Sequence, residues 1–275
     1  MEDRRTIHIE IDGESIPINA RVQGDGPVIL FIHGWLASTH VWRDIFGRFP
    51  AGYRLIAIDL PGFGDTAPLH NGPITISHYA TVIGLIMDKL STKGNIRLVV
   101  ADSFGAIAVL NLMKMASLPT SAVMLSGCPI DGLPKGISIL KRKGVVKNTL
   151  RVLRALPTKT YHRIARIYSR VIWGSHRPFE PHLADGARAA EPGTAENLIR
   201  ELFAPFPLDA PVMNQNITAL VVRGQNDKIA PEDSAKRLAQ YLKGQYFEVS
   251  NSGHTPMMEN PDAYLEAVST ILKQT

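Results

Sequence analysis

Val99-Val100-Ala101-Asp102-Ser103-Phe104-Gly105-Ala106 joins two different periodicities, and Ser103 stands at the joint. Upstream, residues 96–100 form a continuous apolar run, the pattern of a strand buried on both faces. Downstream, residues 104–115 have helical spacing. Small residues lie two positions to either side of Ser103, Ala101 before it and Gly105 after it. They let the chain turn sharply enough to lift the hydroxyl clear of the sheet. Asp102 competes as the reactive group of this turn. Centred on Asp102, however, the tight position two residues on would hold the Phe104 ring, so Ser103 is the better nucleophile.

The same apolar character recurs at residues 27–32, 55–58, 122–125 and 219–222, and more weakly at 247–249. Helical patterns fall between these runs, at 39–46, 75–90, 231–242 and 261–273. Such alternation predicts an α/β architecture: a mainly parallel twisted sheet flanked by helices, with loops at the carboxyl ends of the strands forming the site. At the start, Ile7, Ile9 and Ile11 alternate with polar residues, Asp12-Gly13 marks a turn, and residues 15–22 alternate again, which predicts an antiparallel hairpin. From 129 to 211 the strand–helix rhythm stops and only helical segments punctuated by proline remain. Val146, Leu150 and Leu153 make one apolar stripe there, and Ile164, Ile167 and Val171 another. The expected organisation is a core of residues 1–128 and 212–275 with a helical cap, 129–211, inserted between two core strands.

A serine hydroxyl needs a base to take its proton, and the base needs a carboxylate to fix its tautomer. His254, in Ser252-Gly253-His254-Thr255-Pro256, supplies the first, and Asp227, in Gln225-Asn226-Asp227-Lys228, the second. Each follows a predicted strand, and the order serine, acid, histidine is one of the known chain orders of a catalytic triad. Asp131, just after an earlier strand, is an alternative acid. The developing oxyanion needs N–H donors. Phe104 at the amino end of the helix offers one and Trp35, in His33-Gly34-Trp35, the other, while His33 is read as shaping that loop.

Phe31-Ile32-His33-Gly34-Trp35, Val41-Trp42, Asp59-Leu60-Pro61-Gly62-Phe63-Gly64, the serine elbow and the Asp227 and His254 segments together resemble the α/β-hydrolase superfamily of serine-esterase type. The resemblance covers about 27–128 and 212–272; within that superfamily the first and third segments are most similar to acyl-carrier-protein methyl ester carboxylesterases and bacterial arylesterases. It implies hydrolysis of a carboxylic ester or thioester through an acyl-serine. Two rival readings remain: C–C bond hydrolysis of a diketone, and a low-turnover ligand-binding protein on the same fold. Ala101 replaces the usual glycine, and Asp102 stands where such enzymes often carry His, Trp or Gln. A carboxylate there would oppose the anionic transition state if it faced the site, so its side chain is expected to point elsewhere and to be hydrogen-bonded.

The 275 residues, 45% apolar and 20% charged, suit a soluble domain with an insertion. Cys128 is the only cysteine, so no intrachain disulfide forms and a reducing, cytoplasmic setting is expected. The opening Met1-Glu2-Asp3-Arg4-Arg5 has no apolar segment behind it, and no apolar run approaches the roughly 20 residues of a membrane span. Net charge is +5, yet residues 132–179 hold 12 Lys or Arg and no acid, leaving 18 basic against 25 acidic residues elsewhere. Lys147, Arg151 and Arg154 form one basic row, and Arg163, Arg166 and Arg170 a second. Their mutual repulsion predicts an anionic partner: an acyl carrier protein, a CoA phosphate or an anionic membrane surface. No nucleic-acid-binding motif accompanies the charge, so nucleic acid is not expected. His176 and His182 lack zinc-ligand spacing, and Gly62-Phe63-Gly64 lacks a phosphate-loop lysine, so neither metal nor cofactor is implied.

Overall fold

The amino-terminal hairpin forms as its alternation requires: β1 (Asp3–Ile11) pairs antiparallel with β2 (Glu14–Gln23) across the Asp12-Gly13 turn. The structure, a computed structural model, describes residues 3–92, 95–172, 181–213 and 216–275, without the side chains of 168–172, 182 and 183. Val171, Arg170, His176 and His182 of the sequence reading thus fall outside the described side chains. The remaining strands are β3 (Val28–Ile32), β4 (Arg54–Ile58), β5 (Ile96–Asp102), β6 (Thr120–Ser126), β7 (Thr218–Gly224) and β8 (Gln245–Val249). They form one sheet in the order β1-β2-β4-β3-β5-β6-β7-β8, parallel from β4 to β8.

Two layers cover the sheet, because its central strands are apolar on both faces and both must be shielded from water. On one side lie α2 (Ile76–Ser91), α3 (Phe104–Met115) and α8 (Glu232–Tyr241). On the other, α1 (Arg43–Phe46) and the carboxyl-terminal helices below pack against Phe31, Trp42 and Tyr264. The predicted helix at 39–46 divides at Trp42 into a 3₁₀ turn, Thr39–Trp42, and α1.

Between β6 and β7 the chain makes a 3₁₀ segment, Lys135–Lys141, then α4 (Val145–Ala155), α5 (Thr158–Ile172), α6 (Pro181–Ala189) and α7 (Pro192–Glu201). After β8 come α9 (Pro256–Glu259) and α10 (Pro261–Leu272). The cap helices do not float over the core. Leu198 and Ile199 of α7 are buried in the same apolar cluster as the sheet, and Glu191 N–H donates to the Gly62 carbonyl at 2.7 Å. Of the two predicted apolar stripes, Val146 and Leu150 are buried, but Ile164 and Ile167 are 42% and 61% exposed. The inward face of α5 is carried instead by Tyr161, which is buried.

Candidate active site

Ser103 caps α3 with φ 49° and ψ −111°, a left-handed conformation that a side-chain-bearing residue enters only under strain. The turn is held by the Ser103 N–H donating to the Ser126 carbonyl at 2.8 Å. It can be this tight because Gly105 has no side chain: a methyl there would lie 2.6 Å from the His33 carbonyl oxygen and 2.9 Å from Ile32. Ala101 on the other side is fully buried.

The turn aims the hydroxyl at His254, whose Nε2 lies 2.9 Å from Ser103 Oγ. Nδ1 of the same ring lies 2.9 Å from Asp227 Oδ2. Three side chains separated by up to 151 residues thus meet in one hydrogen-bonded line at the carboxyl ends of β5, β7 and β8. The Asp227 side chain is fully shielded from solvent. Its other oxygen accepts the N–H groups of Ile229 at 2.8 Å and Ala230 at 3.1 Å. Burial opposes its charge, but His254 and those two amides outweigh burial and hold the carboxyl below its ordinary range. Burial likewise opposes a charged His254. Attraction to Asp227, the hydrogen bond between them and the further charges of Asp102 and Glu259 overcome it and raise the imidazole to about 9.

Asp131, the alternative acid, lies elsewhere. It hydrogen-bonds Ser234 and pairs with Arg237, whose guanidinium is 2.6 Å from Asp131 Oδ1, on an exposed surface. His33 shapes its loop as expected: Nδ1 donates to the Gly34 carbonyl at 2.7 Å and Nε2 accepts the Leu60 N–H at 3.0 Å. Burial keeps the ring neutral by lowering its pKa, consistent with that pair of bonds. Phe104 follows the nucleophile at the head of α3, and Trp35 follows Gly34, where a methyl would lie 3.1 Å from Ser103 Cβ. Phe104 begins its helix, so its N–H has no carbonyl one turn earlier to satisfy it. The Trp35 indole donates to the Ala195 carbonyl at 2.9 Å and ties the β3 loop to the cap. Leu36, the next residue, has φ 56°, a second positive-φ backbone at a residue with a side chain.

Several supporting residues carry no motif and escaped the sequence reading. Arg223, at the end of β7, donates to the carbonyls of Ala230 (2.9 Å) and Asp227 (3.1 Å), and its charge meets Glu248 at 2.9 Å. Glu259 accepts the N–H of Gly253 at 3.0 Å and the Thr255 hydroxyl at 2.9 Å, bracketing His254. Asp59, the first residue of the Asp59–Gly64 motif, receives the Thr39 N–H (2.6 Å), the Asp65 N–H (3.0 Å) and the Asn19 amide (2.7 Å), which closes the β4 loop onto the β3 loop. Among the described residues no three His, Cys, Asp or Glu side chains cluster to hold a metal, and no helix is long and apolar enough to cross a membrane.

A nucleophile elbow followed by a hydrogen-bonded Ser–His–Asp line on a mainly parallel sheet defines a serine-hydrolase architecture. Residues 29–267 match the alpha/beta hydrolase family, and the chain belongs to it. Among its relatives, a bifunctional esterase/perhydrolase of Acinetobacter calcoaceticus is 23% identical over 80% of this chain and 81% of its own. A pimeloyl-[acyl-carrier protein] methyl ester esterase of Neisseria meningitidis is 25% identical over 86% of this chain and 90% of its own. The crystal structure of a bromoperoxidase from Bacillus anthracis superposes with a TM-score of 0.78 at 18% identity, covering 98% of this chain and all of that one; it shares the fold.

Proposed function

We propose that the chain hydrolyses a carboxylic ester or thioester with Ser103 as nucleophile, His254 as base and Asp227 as its orienting acid. Ser103 Oγ attacks the carbonyl carbon while His254 Nε2 takes its proton, then returns it to the leaving alcohol or thiol. Water repeats the sequence on the acyl-serine and frees the acid. The N–H groups of Phe104 and Trp35 hold the oxyanion. The observation that carries this reading is the pair of 2.9 Å contacts from one imidazole to Ser103 and to Asp227. The esterase names of both sequence relatives support an ester over a diketone. Turnover of a p-nitrophenyl ester and labelling by a fluorophosphonate test it. Both are expected to vanish in Ser103→Ala, and unchanged turnover in that variant would remove the assignment.

An anionic acyl substrate, or one borne on an acidic carrier, is the finer part of the proposal. Arg154 is occupied structurally, since its guanidinium donates to the carbonyls of Arg188 (2.8 Å), Ala189 (2.6 Å) and Ala190 (2.7 Å). Arg151 and Arg163 are exposed and make no ion pair among the described residues. Arg163 also borders the exposed Ile164. Reversing Arg151 and Arg163 to Glu is expected to raise KM for a carrier-borne or anionic ester and to leave an uncharged ester unchanged.

A further inference from the structure

Asp102, one residue before the nucleophile, is buried. Leu98 and Val100 of the same strand belong to the Trp42–Tyr264 layer and Ala101 to the opposite one, so alternation turns Asp102 toward the Trp42–Tyr264 side. On β6 its register partner is Ser126, turned the same way beside Met124. The Asp102 carboxyl also reaches the β3 loop: a methyl on Gly34 would lie 2.9 Å from Asp102 Oδ2 and 3.1 Å from Ser103 Cβ.

This layer is apolar, and the polar atoms in it are poorly matched. Asp102 Oδ1 is buried without a hydrogen-bond partner, and the buried Ser126 and Tyr264 hydroxyls of the same layer face one another. Asp227 has the opposite surroundings, with two amides and an imidazole fixed on its oxygens. A methyl on Gly127, the residue after Ser126, would lie 3.1 Å from His254 Cε1, so the imidazole sits against the turn that follows the register partner of Asp102. Of the two carboxyl groups beside this imidazole, only Asp227 is held by donors in its charged form. Environments that separate two carboxyls in this way also separate their roles.

We propose that Asp102 is a second carboxyl acting on His254: a positioning residue whose charge sets how strongly the imidazole holds its proton. This inference rests on the triad reading above. When Asp102 is ionised it stabilises the imidazolium and opposes the negative charge that grows on the oxyanion. Without that charge, the imidazole gives up its proton at lower pH. Burial raises Asp102 to about 7, with His254 lowering it and Asp227 raising it, so both states are within reach of neutral conditions. The titratable groups that feel its charge come from every neighbouring element: His254 after β8, Cys128 after β6 and Tyr264 on α10. Asp227 after β7 acts on Asp102 itself, and Glu259 on α9 adds to the field on His254.

Asp102→Asn keeps the shape and removes the charge. Two readouts test it: the acid limb of the kcat/KM profile, and the His254 imidazole titration followed by NMR. Both are expected to move to lower pH by about one unit, the effect of removing one close opposite charge, while kcat at alkaline pH is retained. A packing role would lower kcat at every pH and leave both midpoints in place; that result overturns the inference. Asp102→Ser also removes the charge, with a smaller side chain, and leaves Ser103, His254 and Asp227 alone. It is expected to shift the imidazole titration the same way, and it decides the matter if Asp102→Asn does not fold, an unmoved titration then counting against the role. The His254 titration is independent of substrate. A chain that cleaves no ester but whose imidazole follows Asp102 loses the proposed function and keeps this inference.

Discussion

At the scale of single residues, the structure changes what the histidine is expected to do. An unperturbed imidazole would become a base near pH 6–7. His254 is buried, which by itself would make it easier to deprotonate, but Asp227, Asp102 and Glu259 surround it with negative charge and raise it to about 9. A general base must be neutral. Turnover should therefore keep rising from pH 7 to about 9 instead of reaching its plateau near neutrality, as a stopped assay with a pH-stable ester would measure. A profile already flat above pH 7 would contradict that electrostatic account.

At the scale of elements, the strands that frame the site were legible because their apolar runs have no other use than burial on two faces. Ser103 was legible because its turn demands small neighbours, and His254 and Asp227 because each follows such a strand. What was not legible is contact between elements. The outward row of α5 has the same periodicity as an inward one, and only packing against α6 reveals that Tyr161 is the buried side. Arg223 and Glu259 hold loops through carbonyls and amides far away in sequence, and no spacing encodes that. Gly224 illustrates the same limit. A methyl there would lie 1.9 Å from the Gly253 carbonyl oxygen, inside the backbone of the histidine loop. Gly224→Ala should displace His254 and cut kcat far more than KM. In the cap, Leu198→Ala should cost about 2–5 kcal/mol, because the side chain is fully buried in the core cluster. Chemical denaturation measures that loss, and a value near zero would mean that α7 is not part of the cooperative core.

At the scale of the whole molecule, activity and stability pull the pH in opposite directions. A group whose pKa is raised on folding stabilises the fold fully below its unfolded value and loses that contribution as the pH climbs through its folded value. His254 is raised from 6.5 to about 9 and Asp102 from 3.8 to about 7. Asp102 thus withdraws stability across the acidic range up to about 7, and His254 across the neutral range up to about 9. Asp227, lowered by folding, has the reverse sign: its contribution is present above its unfolded value of 3.8 and is lost only as the pH falls through its depressed folded one. These contributions place the site's most stabilising state at acid pH and its reactive state at alkaline pH, because the neutral imidazole that takes the Ser103 proton is also the one that has given up its attraction to Asp227. Thermal denaturation at fixed ionic strength should show Tm declining from pH 5 to 9. Asp102→Asn should flatten the decline below about 7, and His254→Asn the decline above it. If both variants follow the slope of the unaltered chain, the charges around Ser103 are not what couples the fold to pH.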